Sequence, residues 1–146
     1  MKTSESGKQF LIKLEGLKLK AYKDSGGVPT IGVGSLDMPS GKLVKMGDTI
    51  TQQEAMDLLT ADLRTSEKAL APYENRLNQK QYDALVCFIF NIGTSAFANS
   101  TLLKELIAGR SVDAQWVRWN KDNGKVVQGL VNRRAKELAL FNGGSY

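Results

Sequence analysis

The chain has 146 residues, 42% hydrophobic, and 20 basic against 15 acidic side chains give a net charge of +5. That length supports one ordinary core, divisible into two lobes, and no apolar run is long enough to span a membrane. With no histidine and one cysteine, Cys87, a zinc site, a Ser-His-Asp triad and an internal disulfide framework are excluded. Any catalysis falls to Asp, Glu, Lys, Tyr or hydroxyl groups. The positive charge suits an anionic partner such as a cell-wall polymer, and no basic tract interleaved with aromatics marks a nucleic-acid site. The N-terminal Met-Lys-Thr-Ser-Glu-Ser-Gly-Lys-Gln lacks the apolar stretch of a secretory signal. A lone cysteine fits synthesis in a reducing compartment.

Ser6 to Gln9 has capping-box form and predicts a helix running to Glu15, stopped by Gly16. Glu15 lies at the edge of that helix's apolar stripe, where partial burial would raise its pKa and keep it protonated. Asp24-Ser-Gly-Gly is a turn signal, and Val28-Pro-Thr-Ile-Gly-Val-Gly predicts a strand that another backbone or a ligand approaches closely at Gly32 and Gly34. Residues 35–50 read as hairpin or loop. Glu15 and Asp24 are thus expected on different elements, with the Thr30 hydroxyl nearby. Two carboxylates so placed can face each other across a cleft, as acid/base hydrolysis requires.

From residue 51 the signals are helical. Thr51 to Glu54 is a second capping box, opening a helix expected over about 51–71. Asn78 to Gln81 opens a third, apolar on nearly all sides, carrying Cys87 as a core residue and ending at Gly93. Short helices are expected over 94–98, 100–108 and after Ser111. The helix after Ser111 carries Trp116 and Trp119 on one face, read as core packing in preference to sugar stacking. A loop at 120–125 precedes a final helix from about Leu130 to Phe141 containing the basic run Asn132-Arg-Arg-Ala-Lys136. The fold class is α+β and mainly helical. A small hairpin-containing N-terminal lobe (about 16–50) is joined by a long helix (about 51–71) to a helical lobe (about 72–146 plus the N-terminal helix).

The run Glu15 to Gly34, the Phe90-Asn-Ile-Gly93 helix end and Gly129-Leu-Val-Asn-Arg-Arg-Ala-Lys-Glu-Leu-Ala-Leu-Phe141 resemble the phage T4-type lysozymes, glycoside hydrolase family 24, in particular their lambdoid endolysin branch. The resemblance covers residues 6 to 142. It implies a single lysozyme-like domain that hydrolyses, with inversion, the β-1,4 bond between N-acetylmuramic acid and N-acetylglucosamine in peptidoglycan. It implies Glu15 as general acid and Asp24, with Thr30, as the groups that hold the attacking water. Tyr22, Leu36, Phe90 and Asn132 are implied cleft residues, and Arg134 is implied as a cation near the acid, with Asn132 and Arg133 as neighbouring alternatives. Such a cation opposes the effect of burial on the pKa of Glu15.

Ser35 stands where the family carries a histidine after Gly-Val-Gly. The resemblance implies a changed local contact there rather than changed chemistry. No cofactor or metal is implied, and the expected partner is the peptidoglycan glycan strand, met by a monomer without stable membrane insertion. The expected route is synthesis in a bacterial cytoplasm and delivery to periplasmic wall by a holin or a secretion apparatus. A secreted antibacterial effector is chemically the same reading. Two other readings stay open: a lytic transglycosylase of similar fold, which needs no water-holding Asp24, and a non-catalytic wall-binding module.

Overall fold

In the computed structural model, which describes all 146 residues, the chain divides into two units, Lys8–Arg64 and Met1–Gly7 with Thr65–Tyr146. The divisions fall within helices α1 (Glu5–Glu15) and α2 (Gln52–Leu70).

In the unit Lys8–Arg64, α1 ends where the sequence predicts. Gly16 takes φ +81°, open to glycine at no steric cost, and its N–H bonds Ile12 O at 2.7 Å. Strands β1 (Lys18–Lys23) and β2 (Pro29–Gly32) pair antiparallel, Tyr22 opposite Thr30 and Lys23 opposite Pro29, with an irregular register between Lys18 and Tyr22. A third extended stretch lies along β1, where Ala21 N–H bonds Asp48 O and Ile50 N–H bonds Leu19 O, both at 2.9 Å. Ala21, Ile31, Val44, Ile50 and Ala55 form the core of the unit, flanked by Leu17, Met38 and Leu58.

Gly32 and Gly34 serve the conformation of their own backbone. Both have positive φ, and they turn the chain so that Ile31 and Ser35 exchange hydrogen bonds of 2.9 and 2.8 Å. α2 opens on the predicted capping box: Thr51 N–H bonds Glu54 Oε1 at 2.9 Å and Glu54 N–H bonds Thr51 Oγ1 at 3.1 Å.

The other unit is helical, with α3 (Gln79–Ile92), α4 (Thr94–Ala98), α5 (Thr101–Ile107), α6 (Asp113–Trp116) and α7 (Gln128–Phe141). The Asn78–Gln81 capping box and the Gly93 stop are both present. α3 is buried from Tyr82 to Ile89, Cys87 among them, and packs chiefly on α7. No helix is long and apolar enough to cross a membrane.

Two predicted details differ. α6 ends at Trp116, which is buried, so Trp119 lies outside it and is only half-buried. The predicted loop at 120–125 is a hairpin of β3 (Lys121–Asp122) and β4 (Lys125–Val126), turned by Asn123 and Gly124, both with positive φ. This is the Asn-Gly turn that matches strand twist.

The cap of α1 is also corrected: Ser4, not Ser6, accepts the N–H of Gly7, at 3.0 Å. A distant carboxylate selects it. Fully buried Asp83 accepts Ser4 N–H at 3.0 Å, Ser4 Oγ at 2.5 Å, Gln79 Nε2 at 2.9 Å and the Tyr146 hydroxyl at 2.8 Å. A Cβ added at Gly7 would stand 2.5 Å from Asp83 Cγ. Gly7→Ala is therefore expected to lower unfolding stability by about 1–3 kcal/mol, despite alanine's better helix propensity. A urea titration showing an unchanged midpoint would contradict this packing argument.

Candidate active site

The acids are placed by local backbone chemistry. Glu15 is the last residue of α1, followed by the Gly16 turn into β1. Its side chain is exposed, so the partial burial expected at that helix end is not present. The reason is that Gly16 stops the helix at once and leaves Glu15 on the rim of the apolar stripe rather than beneath it.

Asp24 sits in the turn joining β1 to β2. Its Oδ1 accepts the N–H groups of Gly26 at 2.9 Å and Val28 at 2.8 Å, while the backbone closes Asp24 N–H on Val28 O and Gly27 N–H on Asp24 O. Turn aspartates ordinarily do this. Here one oxygen suffices for it, and Oδ2 makes no hydrogen bond within the protein.

Thr30 is buried in β2, its Oγ1 donating to Val28 O at 2.9 Å. Directly across the sheet stands Tyr22, half-buried, with Lys18 Nζ 4.9 Å from its ring centre. Residues paired this way carry their side chains on one sheet face. The Tyr22 hydroxyl has its pKa raised, first by burial and then by the negative charges of Glu15 and Asp24. One phenol thus senses both carboxylates and is paired in register with the threonine.

Leu36, in the same unit, is exposed at the base of a hairpin in which Asp37 bridges Leu43. Ser35, at the position of the family's histidine, is buried and donates its hydroxyl to Asp62 Oδ2 of α2 at 2.5 Å. The changed contact expected there is therefore a hydrogen bond from a neutral hydroxyl that ties the β segment to α2. Asp62 has its carboxyl raised by burial, against the pull of the Ser35 hydroxyl, with a further push from Asp37. A raised folded pKa means that the native state holds this proton more tightly than the unfolded chain. Asp62 thus stabilises most below the ordinary aspartate value of 3.8, and that contribution fades as pH rises through its folded pKa. Asp62→Asn, which keeps an acceptor for Ser35, should gain stability relative to the parent between pH 3.5 and pH 7. Urea midpoints moving in parallel at the two pH values would refute this.

Of the residues expected from the helical unit, Phe90 is half-buried in the last turn of α3, and Asn132 is exposed on α7, accepting Gln128 Nε2 at 2.9 Å. Arg134 is fully buried and Arg133 nearly so. Both meet a residue that sequence reasoning passed over. Fully buried Glu137 accepts Arg133 Nε at 3.0 Å and Trp116 Nε1 at 3.2 Å, and stands 3.3 Å from Arg134 Nε. Burial pushes its carboxyl up while both arginines pull it down. Arg134 also hydrogen-bonds Asn91 Oδ1 and lies 5.0 Å from the Phe88 ring centre. The spacing of Glu137 three and four residues after two arginines was the available signal.

Also unforeseen is an open cavity of about 470 Å³ lined by Asn91, Ile92, Trp119, Lys121, Asp122, Val127 and Leu130. No cluster of His, Cys, Asp and Glu able to hold a metal occurs.

The sequence pattern of the phage lysozymes matches residues 12–137. The chain is 45% identical to the endolysin of Salmonella phage P22 over 145 residues, 97% of this chain and 98% of that one. It is 43% identical to the endolysin of Bacillus phage PZA over 156 aligned positions, 99% of this chain but 57% of that longer protein. The crystal structure of a point mutant of P22 lysozyme superposes with a TM-score of 0.87 at 40% identity, covering 98% of this chain and 99% of that one. An acid-bearing helix end, an Asp-capped hairpin and a helical unit, matched over nearly the whole length in sequence and in fold, have one conclusion: the chain belongs to the phage lysozyme family and is a glycoside hydrolase.

Proposed function

We propose that the chain is an endolysin-type muramidase. It cleaves the β-1,4 bond between N-acetylmuramic acid and N-acetylglucosamine in peptidoglycan and inverts the anomeric centre. Glu15 gives its proton to the glycosidic oxygen as the C1–O bond breaks. Asp24 takes a proton from a water that attacks C1 from the opposite face, and the Thr30 hydroxyl holds that water. The step leaves Glu15 ionised and Asp24 protonated, and exchange with solvent restores both. Inversion needs room for the water, about 6.5–9.5 Å between carboxyls.

The observation that carries this reading is the Tyr22 phenol, paired across the sheet with Thr30 and raised first by burial and then by the charges of Glu15 and Asp24. The bonding of Asp24 supports its role as well, because the turn takes one carboxylate oxygen and leaves the other for water. Arg134 enters on the family resemblance as the cation associated with the general acid. Peptidoglycan strands are the proposed partner, met by a monomer after cytoplasmic synthesis and delivery to the periplasm.

Asp24 offers the test, since its two tasks separate chemically. Asp24→Asn keeps a carbonyl oxygen for the Gly26 and Val28 N–H groups but removes the charge. It should fold as the parent does and lose about 10²–10⁴-fold in rate on permeabilised Gram-negative cells. Asp24→Ala should lose both the rate and part of the stability. An Asp24→Asn variant with parental activity would overturn the role in water activation. Thr30→Ala should reduce turnover far more than sedimentation with purified peptidoglycan, whereas equal losses would mark Thr30 as structural.

A further inference from the structure

Asn91 ends the exposed side of α3 and lines the cavity bounded by Trp119 and the β3–β4 hairpin. A carboxamide in a cavity wall is ordinarily free to turn either end outward. Here its orientation is dictated. Arg134 has only donors, so its hydrogen bond to Asn91 must be accepted by Oδ1. Arg134 is itself held: Glu137 faces its Nε, the Phe88 ring lies under its guanidinium, and the arginine is fully buried. Glu137 in turn is fixed by Trp116 and Arg133. With Oδ1 taken, Asn91 has its Nδ2 amide hydrogens left, and they donate to no group of the protein. Lys121 adds a second donor to the lining of the same cavity, which it shares with the carboxylate of Asp122 and the apolar Ile92, Trp119, Val127 and Leu130.

We propose that Asn91 is a substrate-binding residue that donates to an acceptor oxygen of the peptidoglycan strand, and that Glu137 and Arg134 are positioning residues which fix its donor face toward the cavity. The inference rests on the peptidoglycan reading above and extends it to a contact within the helical unit. The acceptor is a carbonyl or carboxylate oxygen, supplied by an N-acetyl group of the glycan or by the peptide attached to it.

Asn91→Asp separates this from a purely structural role. Aspartate keeps the acceptor for Arg134 and places a second anion beside it, so a residue that only held Arg134 would be replaced without loss. The proposal expects Asn91→Asp to fold with at least the parental urea midpoint. It expects KM on soluble peptidoglycan fragments to rise about fivefold to tenfold with kcat little changed, the loss of one hydrogen-bond donor. Asn91→Gln, which retains donors on a longer stem, should fall between the two. A parental KM for Asn91→Asp would overturn the proposal. If the rise in KM persists on glycan strands stripped of peptide by an amidase, the acceptor is an N-acetyl carbonyl; if it vanishes there, the acceptor is on the peptide.

Repeating the comparison as peptidoglycan sedimentation in a Glu15→Gln background reads binding without turnover. Unchanged sedimentation of the Asn91→Asp form there contradicts the Asn91 proposal alone, whereas full activity of Glu15→Gln contradicts the catalytic reading and leaves the binding result to stand by itself.

Discussion

Glu15→Gln is expected to abolish clearing of outer-membrane-permeabilised Gram-negative cells, a fall of about 10²–10⁴-fold or more in rate, with an unchanged unfolding midpoint. The glutamine has the shape and hydrogen-bonding reach of the acid but no proton to give to a leaving glycosidic oxygen. Glu15 is exposed at the end of α1, and the Gly16 turn that follows is closed by backbone groups. A variant that folds as the parent and clears cells at the parental rate would remove Glu15 from the chemistry.

The second large effect concerns stability. Glu137→Leu should cost about 3–5 kcal/mol, because it removes the carboxylate that faces two buried arginines and takes away the acceptor of the Trp116 indole. Glu137 is fully buried, and the Trp116 ring beside it packs on Phe88 and Phe141 with ring centres 5.0 and 5.1 Å away, so water has no easy route to replace the carboxylate. Glu137→Gln should lose less, since the amide oxygen still accepts one donor. Urea unfolding followed by Trp fluorescence measures both. A loss below about 1 kcal/mol for the leucine variant would show that the arginines find other partners at no penalty.

How far the sequence carried these conclusions depended on the reach of each interaction. Caps at Thr51 and Asn78 and the stops at Gly16 and Gly93 were legible because each is closed within four residues. The first cap was misplaced by two residues because Asp83, 79 positions away from Ser4, decides it. The hairpin at 121–126 carried its Asn-Gly signal, but its two-residue strands are too short and too polar for alternation to show.

The site divides in the same way. Glu15, Asp24 and Thr30 entered the proposed site chiefly through the family resemblance, which gave roles to a local arrangement of helix end, turn and strand. Glu137 and Asn91 were not visible, since their contacts arise only when α7 packs on α3 and turns Arg133 and Arg134 inward. Ser35 was visible as a departure from the family, but Asp62, its partner 27 residues on, was not.

The central claim is hydrolysis by a water that Asp24 and Thr30 hold. Mass spectrometry of the fragments released from purified peptidoglycan tests it most directly. Hydrolysis predicts reducing N-acetylmuramic acid ends, each carrying one heavy oxygen when the digestion is run in oxygen-18 water. Ends in the 1,6-anhydro form, lighter by one water and free of label, would contradict it.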